Sequence, residues 1–178
     1  LGMAMTAGVR TIMITGDHAI TAESIGARIG LLGKAISGQE IEKMSDEELQ
    51  ESVKISSIFA RVSPQHKVRI CKALQENGEV VAMTGDGVND APAISQADVG
   101  IAMGKVGTAV ARQASDLILL DDHYASIVRG IKEGRRIFSN IKKSVSFLLR
   151  TNVSEVFLIL FAIGVALPLP LLPIHLLF

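Results

Sequence analysis

The charge distribution in the last third of the chain limits its architecture more than any other feature. Residues 129–150 carry seven basic side chains and one acid, Glu133, whereas residues 151–178 carry Glu155 as their only formal charge. Basic residues collect on the cytoplasmic side of membrane-spanning helices. We therefore expect residues 1–122 to form a cytoplasmic globular domain and the chain to continue from it into a bilayer.

A single long helix is predicted from His123 onward, because isoleucine and valine recur at helical spacing as far as Val145. An almost wholly apolar run, Val153–Ala166, follows, and with Val145–Leu149 it gives about twenty residues, enough to cross a bilayer. Three prolines stop the helix. The predicted segments are a basic stalk helix over residues 123–144, a transmembrane helix over 145–167, and a loop with the start of another transmembrane helix over 168–178. A core helix of a soluble protein is the alternative. We expect the chain to be part of a longer protein at both ends.

The first part of the chain alternates short apolar runs with helical patterns. This alternation predicts an α/β domain with a doubly wound parallel sheet, whose strands are buried on both faces. The predicted strands are Thr11–Thr15, Ile58–Ala60, Val80–Thr84, Val99–Met103 and Leu117–Leu120. The predicted helices are Ala19–Ile29, Asp46–Val53, Pro64–Leu74, Asn89–Ala97 and Thr108–Ala114.

The stretch from Gly33 to Ser57 is rich in acids and is expected to be a solvated surface insertion. Its acidic residues are Glu40, Glu42, Asp46, Glu47, Glu48 and Glu51. Over the whole chain, 18 basic residues balance 18 acidic ones, which excludes a general basic surface for nucleic acid. The only cysteine, Cys71, excludes an intrachain disulfide and is expected to be a small apolar residue on the helix after Pro64.

The strongest local signal for chemistry is the sequence TGDGVND at residues 84–90, which follows a predicted strand. Ligands bind at the carboxyl ends of strands in open α/β sheets, and carboxylates such as that of Asp86 suit magnesium. The segment nearly fits a dinucleotide fingerprint, but Asp90 replaces the last glycine and its carboxylate would repel pyrophosphate. Residues 100–105 resemble a P-loop but have one residue too few between the glycines.

Two further groups fit phosphate chemistry. Thr15, Gly16 and Asp17 repeat the Thr-Gly-Asp tripeptide after another predicted strand, and a hydroxyl and an amide there suit phosphate oxygens. Lys67 lies at the start of a predicted helix, where a cation opposes the helix dipole unless an anion is bound. Each group alone is also explained by an ordinary turn or a surface lysine.

Asn152 and Glu155 are three residues apart in the predicted transmembrane helix and therefore share one face. An acid within a membrane span is costly and is a functional candidate by default. Their oxygen atoms suit calcium. A structural partner for another helix is the alternative for Glu155.

TGDGVNDAP at residues 84–92, with Thr15–Asp17, FARVSPQHK at residues 59–67 and the basic helix, resembles the P-type cation ATPases over essentially the whole chain. The resemblance implies a haloacid-dehalogenase-like phosphorylation domain in which ATP phosphorylates the aspartate of a DKTGT motif. No DKTGT occurs in this chain. The chain therefore resembles the carboxyl-terminal part of that domain plus the fifth membrane helix. ATP and Mg2+ are the implied cofactors, and the implied partners are lipid and the pump's actuator, nucleotide-binding and other transmembrane parts.

The resemblance also implies a role for each matching residue. Asp86 corresponds to the magnesium ligand, and Asn89 and Asp90 correspond to polar residues that support the phosphate and magnesium site. Lys67 corresponds to the lysine that contacts the transferred phosphoryl group. Thr15 and Gly16 correspond to phosphate-contacting positions, Asp17 to an acid near the nucleotide, and Arg61 to an arginine near the ribose.

Residues 152–155, Asn-Val-Ser-Glu, give the evidence for the transported ion. They resemble the asparagine–valine–glycine–glutamate of reticulum-type calcium pumps, whose asparagine and glutamate bind calcium; Ser154 departs from the glycine. The resemblance thus favours calcium as the transported ion, with Asn152 and Glu155 among its ligands. A pump for sodium, protons or another cation is the first alternative, and a soluble magnesium-dependent phosphatase of the same fold is the second.

Overall fold

A computed structural model describes residues 2–165 of the chain, without the side chain of Met3. The chain divides into two units, Leu1–Arg129 and Gly130–Phe178. The predicted loop and second transmembrane start at 168–178, and the last two residues of the predicted span, lie outside the described residues.

The first unit contains six short strands in two parallel sheets. The strands are β1 (Met13–Ile14), β2 (Ile36–Ser37), β3 (Ile58–Ala60), β4 (Ala82–Gly85), β5 (Val99–Met103) and β6 (Leu117–Leu119). One sheet has the order β1-β3-β2 and the other β4-β5-β6. Ile14 pairs with Phe59 in the first sheet and Thr84 with Ile101 in the second. The α/β class with parallel strands is confirmed, but the strands form two sheets where one was predicted.

Eight helices accompany the strands in the described residues. They are α1 (Gly2–Thr6), α2 (Ala19–Arg28), α3 (Gly38–Lys43), α4 (Asp46–Ile55), α5 (Pro64–Glu76), α6 (Ala91–Gln96), α7 (Ala109–Gln113) and α8 (Tyr124–Gly164). The predicted helix Asn89–Ala97 is wrong at its start, because Val88–Asp90 forms a separate 3-10 turn. Pro92 lies in the first turn of α6, where a missing N–H costs no hydrogen bond.

The prediction of a surface insertion at residues 33–57 is wrong. This stretch contributes β2 to the first sheet, and the side chains of Ile41, Leu49 and Val53 are almost completely buried. They pack with Phe59 and Ile70 in one hydrophobic cluster. The acids lie on the outer faces of α3 and α4. Because they are so numerous, the apolar residues at helical spacing were not recognised as a buried face.

A second hydrophobic cluster joins α5 and α6 to strands β4 and β5. Cys71, Met83, Ile94 and Ala102 belong to it, and Ile14 packs against them. Burial raises the pKa of the Cys71 thiol to about 11, so the thiol remains protonated and unreactive at neutral pH. The prediction of a buried apolar cysteine on α5 is confirmed.

Helix α8 contains 41 residues and is therefore about 60 Å long. It is long and apolar enough to cross a membrane, and its apolar segment is almost entirely exposed. Core helices of soluble proteins bury most of their apolar residues, and within residues 2–165 this helix does not. The predicted long helix is confirmed, with its start one residue later than expected.

Candidate functional site

The centre of the candidate site is an ion pair between α5 and the turn after β4. Lys67 Nζ lies 2.5 Å from Asp90 Oδ1, and the two side chains are only 15% and 12% exposed. Ser63 caps α5 and places Lys67 in the first turn, and from there the ammonium reaches the turn that contains Asp90. Removing either partner would leave a buried charge unpaired, which typically costs about 3–5 kcal/mol.

Asp90 is held by the backbone of its own turn as well as by Lys67. Its second oxygen, Oδ2, accepts hydrogen bonds from Gly87 N–H at 3.0 Å and Asp86 N–H at 3.3 Å. Burial by itself would raise the pKa of Asp90, but the hydrogen bonds from Lys67 and the two amides lower it overall. Asp90 is therefore ionised at neutral pH, and its stabilising contribution is lost as the pH falls through its lowered pKa.

Gly85 permits this arrangement because it has no side chain. A Cβ atom on Gly85 would lie 2.5 Å from Asp90 Cβ and 2.9 Å from Asp90 Oδ2. Any other residue would thus push Asp90 away from Lys67. The glycine explains why the turn can fold an aspartate back over the end of β4.

Asp86 and Asn89 differ from Asp90, because their side chains are exposed and form no hydrogen bond within residues 2–165. The Asp86 backbone is fixed by its carbonyl oxygen, which accepts the Thr108 N–H at 2.8 Å. The described residues contain no group of three or more acids, histidines or cysteines that could hold a metal. One exposed carboxylate still fits Mg2+, which commonly takes only one or two protein carboxylates together with phosphate and water.

Thr15 and Asp17 form a second turn at the end of β1. Thr15 Oγ1 donates to Asp17 Oδ2 at 2.9 Å and accepts the Asp17 N–H at 3.1 Å. The carbonyl oxygens of Asp17 and Thr15 accept the N–H groups of Arg61 and Val62. Arg61 is exposed and has a positive φ of 50°, so the chain turns sharply there between β3 and α5.

The start of α5 connects the two turns. Val62, which is bonded to Thr15, directly precedes the capping residue Ser63, and Lys67 follows in the first helical turn. Within the described residues no hydrogen bond joins Thr15–Asp17 directly to residues 84–90. The structure thus joins Lys67, Asp90 and the Asp86 backbone in one hydrogen-bonded group. It joins Thr15, Asp17 and the backbone of Arg61 in a second group.

The carboxylate of Asp122 binds the glycine-containing loop that resembled a P-loop. The sequence did not predict this role for Asp122. Its carboxylate accepts the N–H groups of Gly104, Lys105 and Val106 at 2.7–3.2 Å. These bonds lower the pKa of Asp122 despite the opposing effect of desolvation. The loop therefore binds an anion supplied by the chain itself, which explains why it need not bind phosphate.

Asn152 and Glu155 lie on α8, in the second unit. Glu155 is half-buried and Asn152 is exposed. Asn152 lines a shallow depression with Val153, Val156 and Phe157, which Glu155 does not line. Calcium takes six to eight oxygen ligands, so these two side chains would supply only part of a calcium site.

Known proteins resemble this chain in sequence and in structure. A profile of haloacid dehalogenase-like hydrolases matches residues 3–98. The calcium-transporting ATPase of Bacillus subtilis is 55% identical over 174 residues, which are 96% of this chain and 20% of that protein. The cation-transporting ATPase pma1 of Synechocystis is 47% identical over 175 residues, which are 96% of this chain and 19% of that protein.

A solved structure of a zinc-transporting PIB-type ATPase in the E2.Pi state matches with a TM-score of 0.69 and 29% sequence identity. The match covers 92% of this chain and 22% of that one. The chain belongs to the haloacid dehalogenase-like hydrolase family. Within that family it resembles the P-type cation-transporting ATPases, as the sequence motifs predicted. It spans about a fifth of the length of the curated relatives it matches.

Proposed function

We propose that this chain is a segment of an ATP-driven cation pump that couples formation and hydrolysis of an aspartyl phosphate to calcium transport across a membrane. The observation that carries the proposal is the buried Lys67–Asp90 pair beside the free carboxylate of Asp86. The relatives named as calcium-transporting and cation-transporting ATPases support it.

The residues of the site supply positioning and charge, which are what phosphoryl transfer requires. Lys67 places a positive charge near the transferred group, and Asp90 fixes the ammonium by hydrogen bonding. Asp86, supported by Asn89, would hold Mg2+, which supplies charge neutralisation at phosphate oxygens when bound. Thr15 and Gly16 would donate hydrogen bonds to those oxygens, while Asp17 and Arg61 would face the nucleotide.

The open edges of the two sheets support a position for the phosphorylated aspartate that the proposed function requires. Within the described residues β1 pairs only with β3, and β4 pairs only with β5. Ile14 of β1 nevertheless packs on the cluster that contains Met83 of β4. We propose that a strand from another part of the pump lies between β1 and β4 and presents its aspartate to the two Thr-Gly-Asp turns.

The ion site and the membrane placement belong to the same proposal. Helix α8 would cross the bilayer, with its basic segment and the first unit on the cytoplasmic side. Asn152 and Glu155 would bind calcium together with ligands from other membrane helices. Lipid and the remaining domains of the pump are the proposed partners. Another transported cation is the second candidate, because the Synechocystis relative is named only as cation-transporting.

Phosphorylation of the full-length protein by ATP tests the proposal. We expect an acid-stable phosphoenzyme that forms only when both Mg2+ and Ca2+ are present, because the ion site must be filled before the aspartate reacts. Labelling with radioactive ATP and precipitation in acid measures it. Phosphorylation that does not depend on calcium but changes with sodium or pH would favour another transported cation. The absence of a phosphoenzyme with every ion tested would contradict the proposal of a pump.

A further inference from the structure

His66 directly precedes Lys67, and both nitrogens of its buried ring have partners. Nδ1 accepts a hydrogen bond from the Ser63 N–H at 3.3 Å, and Nε2 lies 2.6 Å from Glu42 Oε2. Because the Ser63 amide can only donate, Nδ1 is unprotonated and Nε2 carries the proton. The imidazole therefore accepts from Ser63 and donates to Glu42.

These contacts close the amino-terminal end of α5. Ser63 Oγ accepts the His66 N–H at 3.3 Å, while the His66 ring binds the Ser63 N–H, which completes a capping box. Helices α3 and α4 also begin with capping boxes, but a glutamate occupies the corresponding position in each. Of the three residues at this position, only His66 has a second ring nitrogen, and that nitrogen contacts Glu42 of α3. The capping box of α5 is therefore also bonded to α3.

Gly38, the first residue of α3, allows α3 to approach this junction. A Cβ atom on Gly38 would lie 3.0 Å from His66 Nδ1 and would overlap the carbonyl oxygen of Arg61. Glu42 follows Gly38 by about one helical turn and so faces the same junction. The acidic stretch that sequence reasoning assigned to the surface thus contacts the residues that precede Lys67.

We propose that Glu42 and His66 are positioning residues for Lys67. They fix the first turn of α5, and that turn keeps Lys67 Nζ against Asp90 and directed at the phosphoryl group. An uncapped helix start leaves backbone N–H groups unsatisfied and loosens the first turn. This inference rests on the proposed function, since it assumes that Lys67 binds phosphate.

The test is the formation of phosphoenzyme from inorganic phosphate by the full-length protein with Mg2+ and without calcium. We expect His66→Ala to raise the half-saturating phosphate concentration about fivefold, which corresponds to the loss of one cap. His66→Gln keeps an acceptor for the Ser63 N–H and should remain within about twofold of the wild type. Glu42→Ala should raise the half-saturating phosphate concentration about two- to threefold. Because the Glu42 side chain is exposed, we expect this variant to fold.

Glu48→Ala is the matched control, because it opens the capping box of α4 without touching the phosphate site. It should leave the half-saturating concentration unchanged. Equal values for His66→Ala, Glu42→Ala and the wild type, or an equal rise in Glu48→Ala, would overturn the positioning role. Lys67→Ala separates the two proposals. Loss of the phosphoenzyme in a variant that is as resistant to protease as the wild type supports the proposed function, and a normal level of phosphoenzyme contradicts that function itself.

Discussion

Replacing Asp86 by asparagine in the full-length protein should lower phosphorylation by ATP at least about a hundredfold, the scale on which removal of one preorganised electrostatic group affects catalysis. The Asp86 side chain is exposed and forms no hydrogen bond within residues 2–165, so the substitution should leave the fold intact. What it removes is the negative charge that would bind Mg2+ at the end of β4. The measurement is the initial rate of phosphoenzyme formation over a range of Mg2+ concentrations.

Glu79→Gln is the matched control for this experiment. Glu79 is also exposed, lies shortly before β4 and has no hydrogen-bonded side chain in the described part of the chain. Its neutralisation should leave the rate unchanged. If Asp86→Asn phosphorylates at the wild-type rate with an unchanged magnesium dependence, Asp86 does not hold the metal and the site assignment is wrong.

The second large effect is expected at the proposed ion site. Glu155→Gln should raise the calcium concentration for half-maximal phosphorylation by at least about tenfold, because calcium binding depends strongly on the number of charged oxygen ligands. Glu155 is one of only two acids on α8. The measurement is a calcium titration of phosphoenzyme formed from ATP, with the maximum level recorded to separate affinity from the amount of active protein.

Glu133→Gln provides the control on the same helix. Glu133 lies in the basic segment of α8 and pairs with Arg136 at 2.6 Å, outside the apolar segment. Removing such a surface pair costs little, so the calcium titration should not move. An unchanged titration in Glu155→Gln would exclude Glu155 as a ligand, whereas an equal shift in both variants would indicate a general electrostatic effect of helix charge.

The parts of the fold that sequence predicted are those with an uninterrupted local signal. Strands β3 and β5 begin and end where their apolar runs do, and α5 begins at Pro64 after its Ser63 cap. The long helix α8 was predictable because its apolar and basic residues are segregated along the chain. The stretch containing Ile41 and Leu49 was misread because many acids masked its helical period.

In the candidate site, too, local patterns were predicted and contacts between distant residues were not. The turn at residues 84–90 was found from its sequence, since glycines and carboxylates after a strand are a local pattern. The pairing of Lys67 with Asp90 was not found, because 23 residues separate them and only the packing of α5 against α6 and the 3-10 turn joins them. The contact of Glu42 with His66 was missed for the same reason, across 24 residues.

Calcium pumping by the full-length protein is measured as ATP-driven uptake of radioactive calcium by inside-out membrane vesicles, compared with vesicles that contain Asp86→Asn. We expect the wild type to accumulate calcium only when Mg2+ and ATP are present and to lose it when a calcium ionophore is added, and we expect no uptake above background by the variant. Equal uptake by the two proteins, or ATP hydrolysis by the wild type with no movement of any cation, would contradict this expectation.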